Sequence, residues 1–285
     1  MPEHGQCGWP AGCLMSALAG SWMLLSQPVW AAFSIPGYEL VYNAPQETTL
    51  QDNDLRHAAE VWQQMFDAAR SHIDLAQFYV ANEKGSLLDG VLARLRAAGE
   101  RGVKIRFLME EKGVGLSTPE TLTALKAIPN LELRVIPFHR LTGGIVHAKY
   151  LLVDGKEAFV GSQNFDWRAL EQIQETGLRI SDPQTVQQIQ AIFDQDWQAQ
   201  ALLAESKPVP KPARQAVASA PQGNYLVASP RDYNPSGVID SQVALPQLLA
   251  SAKSRIRVQV MDYAPLAWGE KGSRPFYAPI DNALR

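Results

Sequence analysis

The sequence predicts an α/β protein: one sheet covered by helices on both faces, followed by an incomplete second copy of the same unit. Three observations predict it. From Leu50 to Ile136, helix-spaced segments alternate with short apolar runs of strand length, in β-α-β-α-β order after a first helix. From Gly143 to Ile180, more strand-like runs frame a stretch dense in polar groups, and a further helix pattern follows. Finally, residues 68–75 (AARSHIDL) align without gaps to residues 251–258 (SAKSRIRV), each a helix end running into an apolar strand.

Taken in order, residues 1–31 read as a secretory signal. Leu14 to Leu25 is an apolar run of h-region length, and Val29 and Ala31 occupy the −3 and −1 positions of a cut before Ala32. The segment departs from the usual pattern in having no Lys or Arg before Cys13. Export is the expectation, so the protein is secreted or periplasmic. Both cysteines, Cys7 and Cys13, fall inside this segment, so a thiol nucleophile or Cys-based zinc site is excluded from the mature chain.

Residues 32–203 are expected to form the first domain. Ala32 to Thr49 has no clear period and reads as an extended lead-in. Helical spacing through Ala58, Val61, Met65 and Ala68 predicts a helix from Leu50 to about Arg70. A buried strand follows over 73–80, then a helix over 86–98 stopped by Gly99 and Gly102. A strand at 103–109, a short helix at 119–127 and a strand at 131–136 complete the alternation. After the polar stretch come a strand at 176–180 and a helix from Pro183 to about Gln200.

Residues 204–222 are rich in Pro, Ala, Lys and Ser and read as a semi-extended linker. Residues 223–285 then begin the repeat: Asp281-Asn282-Ala283-Leu284-Arg285 echoes the helix start at Asp89 to Arg94, and the sequence stops there. The second copy therefore has no counterpart of the polar stretch. The composition, 46% hydrophobic and 19% charged, is that of a globular protein, and a net charge of −3 supplies no global basic field for nucleic acid.

The polar stretch, Gly143 to Glu175, carries the chemistry. His147 and Lys149 are two apart, so on a strand both project from one face. Asp154 follows, then the apolar run Glu157–Val160, then Gly161-Ser162-Gln163-Asn164, with Glu175 beyond. Lysine and amide can hold a phosphate, histidine can attack phosphorus, and a carboxylate can fix the imidazole tautomer. Each residue alone has a plainer reading. His147 would be a structural histidine, Lys149 an edge-strand charge, Gly161-Ser162 a turn, Asn164 a helix N-cap and Glu175 a solvated helix charge. Trp167 and Arg168 could line a groove, with packing an equal reading for Trp167; Phe78 and Tyr79 end a strand and could reach the pocket, but core is the preferred reading.

The pattern His147-x-Lys149-x4-Asp154-x6-Gly161-Ser162-x-Asn164 resembles the signature of the phospholipase D superfamily. More narrowly, LTGGIVHAKYLLVD and GSQNFDWRALEQIQETG are similar to the branch containing animal phospholipases D three and four and the poxvirus envelope phospholipases. VQVMDYAPLAW and RPFYAPIDNALR look like the opening of that branch's second half. The resemblance implies an α-β-α sandwich with a mixed sheet. It also implies phosphodiester cleavage through a phosphohistidine, needing no metal or other cofactor. It makes His147 nucleophile or general acid. It gives phosphate oxygens to Lys149, Ser162 and Asn164, and the Nδ1–H of His147 to Glu175. Asp154, within the signature, is expected to serve mainly structure.

In the family two such stretches meet, so the resemblance implies that a homodimer, or a missing C-terminal half, provides a second histidine. The leading expectation is hydrolysis or transfer of phosphatidyl groups at a phospholipid membrane surface. A single-strand nucleic-acid exonuclease using the same chemistry is the rival, and an inactive truncated chain is the third reading.

Overall fold

In the computed structural model, the described residues are 33–213, 222–260, 263, 266–269, 272–275 and 278–285. The expected export signal lies outside them, as does part of the linker.

The chain opens with β1 (Ser34–Ile35) and β2 (Tyr38–Asn43), followed by α1 (Ala58–Ala68). Next come β3 (His72–Gln77), β4 (Val80–Ala81), α2 (Leu87–Glu100), β5 (Lys104–Glu110), α3 (Pro119–Lys126) and β6 (Leu131–Ile136). The site region holds α4 (His139–Thr142), β7 (Tyr150–Val153), β8 (Glu157–Gly161), β9 (Phe165–Asp166), α5 (Trp167–Glu171) and β10 (Glu175–Ile180), closed by α6 (Pro183–Ala204). Beyond the linker lie β11 (Val227–Ala228), β12 (Ile239–Asp240), α7 (Ser241–Ala250), β13 (Leu266–Gly269), β14 (Gly272–Pro275) and α8 (Ala278–Leu284).

Eight strands form one mixed sheet in the order β1-β2-β10-β8-β7-β3-β5-β6. β3, β5 and β6 run parallel, joined by helical crossovers, as parallel neighbours require. β7, β8, β10 and β2 extend the sheet antiparallel from the other side of β3. One face buries Ile73, Leu75, Phe107, Leu151 and Phe159 under α1 and α2. The other buries Ala76, Leu108, Tyr150, Leu152 and Ala158 under α6. Strand alternation thus feeds two cores, and the result is an α-β-α sandwich with helices on both faces.

Helix ends follow local chemistry. Asp182 accepts from Thr185 N–H at 2.9 Å with Pro183 in the first turn of α6, and Asn43 Oδ1 accepts from Ala58 N–H at 3.0 Å where α1 starts. On the α6 face, Arg106 makes a bidentate pair with buried Asp74, at 2.7 Å for each bond. Its guanidinium lies over the Phe193 and Trp197 rings.

The structure corrects several expectations. The lead-in contains a real strand: Tyr38–Asn43 alternates in burial and pairs with all of β10. The helix expected from Leu50 starts at Ala58, because Asp52 turns the chain by accepting from Asp54 N–H at 3.0 Å. The strand expected over 73–80 breaks after Gln77, and Phe78 and Tyr79 leave the sheet. In the region expected to begin a second copy, the strand expected at 256–258 does not form. Ile256 and Val258 are 45% and 57% exposed, whereas Ile73 and Leu75 are fully buried. β3 is a strand because β5 and β7 flank it; no strand pairs with residues 255–260 among the described residues.

Candidate active site

His147 and Lys149 lie just before β7 rather than on it, at the sheet end where β3 also stops. Lys149 continues the ladder through its carbonyl, which accepts from Gly161 N–H at 3.1 Å. The loop carrying His147 is tied down by Glu110, fully buried at the end of β5, whose Oε2 accepts from Val146 N–H at 2.8 Å.

His147 is exposed, while Lys149 is only 8% exposed. The Lys149 ammonium lies 2.9 Å from Nδ1 and 3.2 Å from Nε2 of His147 and donates to its carbonyl at 2.8 Å. Burial pushes the imidazole pKa below its ordinary value, and the neighbouring ammonium adds to that. Burial likewise lowers Lys149 to about 8, with Glu175 opposing. The imidazole therefore stays neutral, the state a nucleophile needs, beside a cation that burial makes easy to discharge. Phe78 supports the pair: its ring centroid is 4.6 Å from that of His147, and the Lys149 Nζ lies 5.7 Å from it.

Next to Lys149 the sheet carries two glycines. Gly161 and Gly177 face each other across β8 and β10, and the Phe159 ring fills the space beneath both. A Cβ on Gly161 would collide with Gln163 Oε1, and one on Gly177 with the Phe159 ring. Both glycines are therefore needed for close approach, a reason the reading of Gly161-Ser162 as a turn did not contain. Ser162 Oγ donates to the Thr176 carbonyl at 3.2 Å and accepts from Thr176 N–H at 3.1 Å. Among the described residues neither end of the fully buried Gln163 amide has a hydrogen-bond partner, and buried Asn164 Oδ1 has none either. The N-cap of α5 is Asp166, not Asn164: Asp166 Oδ1 accepts from Arg168 N–H at 2.9 Å, which leaves the Asn164 side chain uncommitted.

Glu175 is the first residue of β10, not a helix charge. Burial raises its pKa above the ordinary value, against the pull of the Ser162 hydroxyl and the Lys149 ammonium. No hydrogen bond joins Glu175 to His147 among the described residues; Glu175 faces Lys149 instead. Asp154 stands apart, at the other end of β7. It occupies the β7–β8 turn with a φ of 54°, followed by Gly155 at 64°. Its carboxylate accepts from Arg70 N–H, Ser71 N–H, Ser71 Oγ–H and His72 N–H at 2.8–3.0 Å. Burial would raise it, but these bonds bring its pKa down to about 2.

Sequence reasoning preferred core for two participants and missed two more. Phe78 and Tyr79 read as core but are half-buried beside the site, because they follow the break after β3. Tyr79 Oη donates to buried Asp166 at 2.6 Å, and Arg168 pairs with the same carboxylate at 2.7 Å while 48% exposed. Glu110 and Gln163 completed the set. The one available signal was positional: an acid ending an apolar strand and an amide inside the glycine-serine turn. Trp167 packs against the core rather than lining a groove.

Residues 63–197 match the family model described as cardiolipin synthase, PLD-like domain. The chain is similar to phospholipase D Z of Dictyostelium discoideum, at 30% identity over 87% of this chain and 63% of that one. It is also similar to the 5′-3′ exonuclease PLD3 of Xenopus laevis, at 29% identity over 79% of this chain and 49% of that one. Among solved structures, NucT from Helicobacter pylori covers 57% of this chain and 97% of its own, at 16% identity and a TM-score of 0.47. The chain spans about half the length of the first curated relatives it matches.

Proposed function

Because the chain belongs to the phospholipase D superfamily, we propose that it takes part in cleaving phosphodiesters, with His147 as the reacting imidazole and Lys149 and Asn164 holding the phosphate. The observation that carries this is the placement of a neutral, exposed imidazole against a buried ammonium. A ring nitrogen of His147 attacks phosphorus, the bond from phosphorus to the leaving oxygen breaks, and that oxygen takes a proton from a general acid. Water, or a second alcohol, then attacks phosphorus, giving its proton to the group that served as general acid; the phosphorus–nitrogen bond breaks and frees His147. Lys149, the Asn164 amide and the Ser162 hydroxyl face the charge that develops on the phosphate oxygens. Glu175 offsets the Lys149 charge between turnovers. Asp154 anchors the hairpin that carries Lys149. The general acid is a second His147 from another copy of the chain, or a histidine from a further half of the protein.

The substrate we propose first is a phospholipid headgroup ester met outside the cytoplasm after export, a reading supported by the similarity to phospholipase D Z. Single-stranded nucleic acid is the second reading. Its support is the half-buried pair Phe78 and Tyr79 beside His147, a surface on which a base can stack, together with the exonuclease name carried by the Xenopus relative. The test is hydrolysis of bis-p-nitrophenyl phosphate by the full chain without added metal, beside His147→Ala. Turnover that disappears in the variant supports the proposal, and turnover that persists overturns it. Phosphatidylcholine vesicles and a short single-stranded DNA, compared at equal phosphodiester concentration, then separate the two substrates.

A further inference from the structure

As the site stands, His147 cannot attack. The Lys149 ammonium contacts both ring nitrogens and donates to the His147 carbonyl, so it covers the lone pair a nucleophile must present. Lys149 has to turn away before phosphorus can approach, and a buried ammonium moves only toward another acceptor. Glu175 is one, and the strand register shows a second beside the ammonium. Gly161 N–H donates to the Lys149 carbonyl, placing Gly161 opposite Lys149 on the neighbouring strand. Opposed residues of an antiparallel pair share one face, with Cβ positions about 4.5–5.5 Å apart. Gly161 has no side chain there, and the Gln163 carboxamide fills the place. That amide is fully buried, and neither Oε1 nor Nε2 bonds to any group among the described residues. A structural glutamine would have its amide paired.

We propose that Gln163 is a positioning residue for the phosphate-bound state: its Oε1 receives the Lys149 ammonium when an anion draws it off His147, and its Nε2 donates to the anion. The inference rests on reading the site as a phosphate site. Gln163 thus acts through Lys149, uncovering the imidazole and keeping the cation charged beside the anion.

The test is calorimetric binding of inorganic sulfate to the full chain from about pH 6 to about pH 10, a range in which sulfate keeps its charge. A plot of affinity against pH has two breaks, one for Lys149 in the free protein, near 8, and one for Lys149 in the complex, higher. Gln163→Leu removes both polar ends at similar volume. It is expected to weaken sulfate binding roughly tenfold or more. It should also lower the break of the complex alone and melt no earlier than the parent. Gln163→Glu keeps the acceptor, so its bound-state break should stay at or above that of the parent although its charge weakens sulfate overall. An unchanged Gln163→Leu profile, or two breaks moving together as general loosening would produce, overturns the inference and leaves the phosphate reading intact. A folded parent chain that binds no sulfate at any pH overturns the phosphate reading, and this inference with it.

Discussion

Lys149 and Asp154 sit at opposite ends of β7, about 16 Å apart along the strand, and the fold treats them in opposite ways. Asp154 receives four hydrogen bonds on one carboxylate, and its pKa falls to about 2. The Lys149 ammonium is buried and, among the described residues, hydrogen-bonds only to the residue two before it; its pKa falls to about 8, and unpartnered amide groups lie in the turn beside it. One motif therefore has an anchored end and an unsettled end. The difference teaches that a signature residue can be present for the fold or for the chemistry, and that hydrogen-bond satisfaction tells which.

The sharpest way to break this comparison is to exchange the two losses. Lys149→Met should reduce phosphodiester turnover at least about a thousandfold, because it removes the charge aimed at the phosphate. Steady-state hydrolysis checks this, and Asp154→Asn should lower turnover per folded molecule less than about threefold in the same assay. Second comes stability, where the order reverses. Asp154 has a depressed pKa, so its stabilisation is present above the unfolded value of 3.8 and is lost as pH falls through about 2. Asp154→Asn should then cost about 1–2 kcal/mol in urea unfolding at pH 7, after discounting for its partial exposure. Lys149 has a lowered pKa, so its charge opposes folding below about pH 8, and stability rises from about 8 toward 10.5. Lys149→Met should leave stability unchanged or raise it by about 1 kcal/mol.

Third, the pH profile of kcat/KM should rise through a midpoint below 6.5, as His147 loses its proton, and fall near 8, as Lys149 loses its charge. Asp154→Asn should move neither limb; a shift of either would join the two ends into one unit and break the distinction. The smallest effect belongs to Phe78→Leu. It should slow turnover by about three- to tenfold through looser imidazole placement, with unfolding unchanged within about 0.5 kcal/mol.

Much of this was legible in the sequence. Strands and helices with strong periods, such as 131–136 and the helix from Pro183, needed only hydrophobic spacing. β2 was not read, although YELVYN alternates, because its pairing partner is β10, more than a hundred residues away. The anchored end of the motif carried a readable signal in Asp154-Gly155, the dipeptide of a tight hairpin turn. What spacing could not show was how side chains turn: that Glu175 faces Lys149, that Phe78 leaves the sheet toward His147, or that Gln163 lies over a glycine. Those depend on register and burial across strands far apart in sequence. The strand expected at 256–258 failed for the same reason, since residues 255–260 repeat the pattern of β3 without its neighbours.

Glu110 has a consequence in time. Residues 143–149 form no regular structure, and such a loop ordinarily exchanges its amide protons almost as fast as a free peptide. Yet the amide of Val146 donates to a carboxylate rooted in the parallel half of the sheet. To release that proton to solvent, the loop must pull away from a strand buried on both sides. The segment beside the reacting histidine is thus held by a core-rooted carboxylate, and the Val146 amide should exchange more slowly than its neighbours at Gly143 and Gly144.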